Sequence, residues 1–204
     1  MTAAAMPNAV PTDVTVRDRI LDAAVELFAE QGYDAVSVTQ IIHRVGITKG
    51  GFYHHFASKE QLLYEVYGDL ISRQLAVMDE IVARRLPPAE TLRLLIVDLV
   101  ESTAASAQRA LVFGREMSRL GDERTSEYRR ARRRYHDTVQ KLVRSGQRSG
   151  DFARTASADV VTFTIFGMVN ELPLWFRSDG RKKASQLGTE LADFVLAGLG
   201  VADD

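Results

Sequence analysis

A chain of 204 residues, 46% hydrophobic and 26% charged, has the make-up of a globular protein with room for one sizeable core or for a small module joined to a larger one. The absence of cysteine excludes a disulfide framework and thiolate chemistry, and it fits a reducing cytoplasm. A formal net charge of −1 argues against broad affinity for polyanions, so any nucleic-acid contact has to come from a local patch.

The opening "MTAAAMPNAVPTD" has no basic segment and no apolar run of signal length, and residues 1–12 are expected to be a disordered arm. From Val16, apolar residues recur at Ile20, Ala24, Leu27 and Phe28, the spacing of an amphipathic helix, which Gly32 closes. Ser37 with Gln40 forms a capping box for a short second helix whose inward residues are Ile41, Ile42 and Val45. Gly46 supplies a tight turn, Thr48 caps a third helix over Lys49 to His55, and Ser58 with Gln61 opens a long fourth helix from Lys59 to about Arg85. Short helix, glycine turn, short helix is the helix-turn-helix pattern.

After Pro87 and Pro88 the periodicity predicts helices over Ala89 to Ala105, Gln108 to Leu120, Asp122 to Ser149, Ala156 to Arg177 and Arg181 to Gly198. No strand alternation, hairpin signal or internal repeat appears. The longest uncharged apolar run, Val160 to Asn170, is well short of the ~18 residues that cross a bilayer. The expected fold class is all-α. A three-helix helix-turn-helix domain occupies residues 13–58, and a larger helical domain occupies residues 59–204.

Within "GITKGGFYHHF", Gly46 to Phe56, each glycine inside the third helix costs about 1 kcal/mol relative to alanine, so something other than helix stability favours Gly50 and Gly51. A missing Cβ lets a helix bring its backbone close to base edges and phosphates in the major groove. Thr48 and the free N–H groups of the helix start suit a phosphate, and Lys49 projects from the first turn. Phe52 and Phe56 share a face and are expected to anchor the helix to the core, leaving Gly51, Tyr53, His54 and His55 toward the groove. Between Asp34 and Glu60 there is no carboxylate, while His43, Arg44, Lys49, His54, His55 and Lys59 fall in that window.

The segment "RDRILDAAVELFAEQGYDAVSVTQIIHRVGITKGGFYHHFASKEQLLYEVY", Arg17 to Tyr67, resembles the N-terminal domain of the TetR family of transcriptional regulators. "LFAEQGY", "GITKGGFYHHF" and "SKEQLL" stand in the order and spacing of that family. The resemblance implies base or phosphate contacts from Lys49, Gly51 and His54, and phosphate contacts from Thr39, Thr48, Tyr53, His55 and Lys59. It also implies a homodimer on a palindromic DNA operator, formed by pairing of the last two helices. The apolar residues Ile165, Val169, Leu172, Leu187, Leu191, Phe194 and Val195 are the expected interface, with intramolecular core as the alternative.

"IFGMVNELPLWFRSDGRKKASQLGTELADFVLAGL" is similar to the final helices of TetR-type regulators of fatty-acid and steroid catabolism. That likeness rests on Gly167, Asn170, Trp175, Phe176, Arg177, Asp179 and Gly180, and it implies a small hydrophobic ligand such as an acyl-CoA thioester. Pro173 departs from the pattern, and a mid-helix proline removes a backbone bond. The expected pocket is lined by Phe113, Met117, Tyr135, Phe163, Phe166, Asn170 and Trp175, with Asn170 as its buried polar group. In the run "RRARRR", Arg129 to Arg134, two readings stand. One is a solvated face balanced by Glu123, Glu127 and Asp137; the other has Arg130 or Arg134 holding CoA phosphates at the pocket mouth.

No catalytic constellation, metal site or cofactor motif is present: there is no H-E-x-x-H, G-x-S-x-G or Walker-type loop, and His136 stands alone as an expected surface residue. The expected function is a cytoplasmic, ligand-responsive repressor. The alternatives are a multidrug-responsive regulator of the same type and a helix-turn-helix interaction module without operator binding.

Overall fold

The computed structural model describes residues 15–116 and 122–201; the expected arm over residues 1–12 and Met117 lie outside them. Among the described residues the regular elements are all helical: α1 Val16–Gln31, α2 Val38–Val45, α3 Lys49–His55, α4 Lys59–Ala83, α5 Pro88–Ala105, α6 Ala107–Glu116, α7 Asp122–Ser149, α8 Ala158–Trp175 and α9 Ala184–Gly198.

The N-terminal helices begin where short polar side chains can satisfy free N–H groups. Thr15 and Asp18 form a reciprocal capping box at α1, and Ser37 and Gln40 form another at α2. Gly46 ends α2 in the left-handed region, at φ 73° and ψ 40°, where a side chain would be strained. Thr48 caps α3 and Ser58 caps α4; here the Gln61 side chain accepts from the Ala57 N–H instead of from Ser58.

Two clusters of buried side chains organise the chain. The first joins Ile20, Phe28, Ile41, Phe52 and Phe56 of the first three helices and their flank to Leu62, Leu63 and Val66 of α4, with Val112 of α6 and Tyr128 of α7 closing it. The second takes Met78 and Ile81 from the far half of α4 and packs them with α5, α7, α8 and α9. The cap at Ser58 therefore marks the start of a helix whose first half belongs to the N-terminal core.

In the larger core α9 lies along α5. A Cβ at Gly188 would sit 3.1 Å from the Val97 Cα and 3.3 Å from its carbonyl oxygen, so the glycine sets how closely the two helices approach. Pro173 lies in the last turn of α8 without ending it: the Phe176 N–H still donates to the Leu172 carbonyl at 2.9 Å.

The structure corrects the expected dimer residues. Ile165, Val169, Leu172, Leu187 and Val195 are buried in the protomer's own core, and Leu191 is partly buried against it. Phe194 alone of that set is exposed, at 68%. The reason is that α8 carries two apolar stripes. Val161, Ile165, Val169 and Leu172 turn inward, whereas Val160 and Phe163 turn outward, and helical periodicity does not say which stripe is covered by the chain itself.

Candidate functional site

The reading helix is held from behind. Phe52 and Phe56 are fully buried with ring centroids 5.9 Å apart, and burying each is worth roughly 1.5–3 kcal/mol over leaving it exposed. The Thr48 hydroxyl accepts from the Gly51 N–H at 3.1 Å, fixing the first turn. This leaves Thr48, Lys49, Gly50, Tyr53 and His54 exposed, with Gly51 and His55 at the margin and Thr39 exposed on α2. Tyr53 is 48% exposed, although its ring meets the Phe52 ring edge-on at 5.3 Å.

Nothing inside the chain requires the two glycines. Neither has a positive φ, and an added Cβ would make ordinary contacts: with the Thr48 hydroxyl at 3.9 Å from Gly50, and with the Thr48 hydroxyl at 3.4 Å and the Ile47 Cβ at 3.8 Å from Gly51. Their advantage over alanine has to lie outside the chain, on the face that α3 presents.

The cationic window is thinner in space than in sequence. Arg44 is drawn back to α1, 3.0 Å from Glu26 and 3.8 Å from Glu30. Lys59 turns inward as well: its ammonium donates to the carbonyls of Tyr33 at 2.8 Å and Val36 at 2.7 Å and lies 4.1 Å from the Tyr33 ring centroid. Lys59 thus ties the α1–α2 loop to the start of α4, a structural duty that its expected role as a phosphate contact did not include. The rings of His54 and His55 meet edge-on at 5.0 Å.

The larger domain holds a cavity of about 300 Å³ between α4, α5, α6, α7 and α8. Ile71, Leu99, Leu111, Val169 and Leu174 give it an apolar wall, while Gln74, Thr103, Tyr128, Arg132, Tyr135 and Asn170 supply its polar groups. The Gln74 amide donates to Ser102 at 2.8 Å and Thr103 at 3.3 Å, and Arg132 donates to the Tyr128 hydroxyl at 3.1 Å. Tyr135 packs edge-on against Phe166, with centroids 5.7 Å apart.

Of the expected pocket residues, Tyr135, Phe166 and Asn170 are on this wall. Phe163 and Trp175 are not: they are 67% and 55% exposed on the outer face of α8. Met117 and the side chain of Phe113 lie outside the described residues. Arg130 is exposed away from the cavity, and Arg134 is held by both carboxylate oxygens of Asp79 at 2.7 Å. The arginine of the run that reaches the cavity is Arg132. Its spacing carried the signal, since Tyr128, Arg132 and Tyr135 stand four and three residues apart on one helical face.

Comparison with known proteins decides what this arrangement is. Residues 85–199, more than half of the chain, match the model of the tetracyclin repressor-like C-terminal domain, and residues 20–66 match that of the bacterial regulatory proteins of the tetR family. The chain belongs to the TetR family. Among its TetR relatives, the HTH-type transcriptional repressor KstR2 of Mycolicibacterium smegmatis is 26% identical over 95% of both chains. The structure of the ketosteroid transcriptional regulator KstR2 of Mycobacterium tuberculosis superposes with a TM-score of 0.82 at 27% identity, covering 91% of this chain and 95% of that one. The fatty acid metabolism regulator protein of Bacillus subtilis is 23% identical over 89% of this chain and 94% of its own. This TetR chain is accordingly a transcriptional regulator.

Within the TetR frame, the cavity and the reading head are mechanically joined by α6. Ala110 and Leu111 line the cavity, and Arg109 beside them pairs with Asp22 of α1 at 2.5 Å. Tyr64 of α4 donates to Glu127 of α7 at 2.7 Å as a second link across the junction.

Close to Tyr135, burial pushes the Asp98 carboxyl up to about 6, with the charge of Glu101 adding to it, and one Asp98 oxygen is buried without a hydrogen-bond partner. Burial first, and then Asp98, hold the Tyr135 phenol well above the ordinary tyrosine range, so it stays a neutral donor, 3.5 Å from the Leu95 carbonyl. His136 is not the surface residue expected: its ring stacks on Phe166 at 5.3 Å and its Nε2 is buried without a partner.

Proposed function

We propose that this regulator is a cytoplasmic homodimeric repressor that binds a palindromic DNA operator through α3 and leaves it when a small hydrophobic ligand enters the cavity. The observation that carries the operator-binding half is the pair Gly50–Gly51, exposed on a firmly anchored helix and required by nothing within the chain. The contacts follow from exposure. Thr48 and Lys49 serve the phosphates or base edges at the helix start, Tyr53 and His54 the groove wall, and Thr39 and His55 the flanks. Repression follows the named role of KstR2, a relative that matches this chain along most of its length.

A second copy of the chain is the partner that suits the outer face of α8 and α9, where Val160, Phe163, Trp175 and Phe194 are each more than half exposed. Pairing these helices about a two-fold axis buries that face and sets two α3 helices at a fixed separation, about 34 Å for half-sites one turn apart. A ligand that favours a protomer geometry with another separation shifts the population off DNA in proportion to its differential affinity.

The lining also selects among ligands. Among the described lining residues there is no carboxylate, which disfavours the cationic compounds of a multidrug-responsive regulator and favours acyl compounds, the class that the name of the fatty acid metabolism relative suggests. The test of the operator-binding half is selection from random duplexes by the purified chain. Enrichment of a palindrome whose binding weakens steeply with salt supports the proposal. No enrichment, or binding indifferent to salt, leaves a helix-turn-helix interaction module.

A further inference from the structure

We infer that Arg132 is the headgroup anchor of the cavity and that its ligand is an amphipathic carboxylate, a small apolar body ending in a free anionic head. The inference rests on the proposal that this cavity holds the effector.

Among the described lining residues Arg132 is the one cation, and none is an aspartate or glutamate. Other arginines of α7 are already matched: Arg134 by both oxygens of Asp79, and Arg144 by Asp159 at 3.1 Å. Arg132 is half-buried and, among the described residues, pairs with no carboxylate; its only bond is the one its Nη1 donates to the Tyr128 hydroxyl. A guanidinium carries five N–H donors, so most of the fork is unspent. A partly desolvated cation gains most from an anion able to accept two parallel N–H bonds, and a carboxylate has that geometry. The bond to Tyr128 holds the fork in place before the ligand arrives.

Size points the same way. About 300 Å³ is at the lower limit of small-molecule sites, which run from roughly 300 to 1,000 Å³. It accommodates a medium acyl chain or one or two rings against Ile71, Leu99, Leu111 and Leu174, and it is too small to enclose the nucleotide and pantetheine of coenzyme A as well. An acid thus satisfies the cavity by itself, whereas a thioester replaces the anionic head facing Arg132 with a neutral carbonyl.

The test holds the tail constant and varies the head. Decanoate, decanol, decyltrimethylammonium and decanoyl-CoA are titrated into the full chain by calorimetry, with octanoate and tetradecanoate to bracket tail length, for wild type and for Arg132→Gln and Arg132→Lys. Decanoate is expected to bind at least tenfold more tightly than decanol. Arg132→Gln should remove that preference while leaving the decanol affinity within twofold, and Arg132→Lys should keep part of it; thermal melts confirm that both variants are folded. Equal affinities for decanoate and decanol overturn the inference, as do a thioester-only response, no binding by any of the three acids, or a decanoate affinity untouched by Arg132→Gln. Operator binding by the same preparations without ligand is a separate readout, and its absence counts against the repressor itself.

Discussion

Arg109 of α6 is paired with Asp22 of α1, and the next two residues of α6, Ala110 and Leu111, line the cavity. A displacement of α6 by a bound ligand is therefore delivered to the first helix of the DNA-binding module. Asp22 is 56% exposed, so the pair contributes at most about 1 kcal/mol to stability. Asp22→Asn is expected to shift thermal stability by less than that, yet to change the ligand concentration for half-release from operator by roughly threefold to tenfold. Arg109→Gln should do the same, and the double variant should be no worse than either single one. Additive effects in that cycle would show that the pair does not carry the coupling.

Tyr53 and Lys59 separate contact from support. Tyr53→Ala removes an exposed ring and should weaken operator binding at least tenfold with little change in the melting temperature. Lys59→Ala removes two bonds to the Tyr33 and Val36 carbonyls, so it should destabilise the N-terminal module by about 1–3 kcal/mol as well as weaken binding. Urea melts paired with operator titrations check both. A Lys59→Ala protein of unchanged stability would return that lysine to the phosphates.

How much of this was legible in the sequence depended on whether the partner was near in the chain. The caps at Ser37, Thr48 and Ser58, the Gly46 turn and the Phe52–Phe56 anchor are encoded by neighbours three or four residues apart, and the structure has each of them. Lys59 was misleading because its acceptors are backbone carbonyls 26 and 23 residues away, which no side-chain pattern announces. Trp175 and Phe163 were assigned to the pocket because an apolar stripe looks the same whether it faces a core, a ligand or another protomer. Arg132 was hidden among identical neighbours, although its register with Tyr128 and Tyr135 singled it out.

The outer face of α8 and α9 yields the third prediction. Phe194→Glu and Phe163→Glu place charges where a second copy is proposed to dock; Phe163→Glu also removes the ring that lies 5.0 Å from His136, so circular dichroism has to show that it folds. Both should convert the dimer to a folded monomer with operator affinity reduced at least tenfold, and Trp175→Ala should act in the same direction more weakly. Sedimentation and circular dichroism read the two effects. A dimer that persists with glutamate at both positions would place the interface elsewhere.

Asp98 makes stability depend on pH. Its native carboxyl titrates near 6, against 3.8 for an unperturbed one. Between those values the native state binds more protons than the unfolded state, so stability falls as pH rises, and the loss is complete above about 6. Asp98→Asn removes this cost. It should stabilise the protein by about 1–2 kcal/mol at pH ~8 and by almost nothing at pH ~3.5. A gain that is equal at both pH values would mean that packing, not charge burial, is responsible.

The most direct test of the central claim is to replace the glycines of α3 singly by alanine and to measure, on the same samples, melting temperature and affinity for the selected operator. Alanine fits the space at both positions and favours a helix over glycine by about 1 kcal/mol. If α3 approaches DNA through these two positions, Gly50→Ala and Gly51→Ala raise the melting temperature while lowering operator affinity at least tenfold. Variants that are more stable and bind DNA as well as the parent would contradict the account, because the glycines would then have no purpose at the groove.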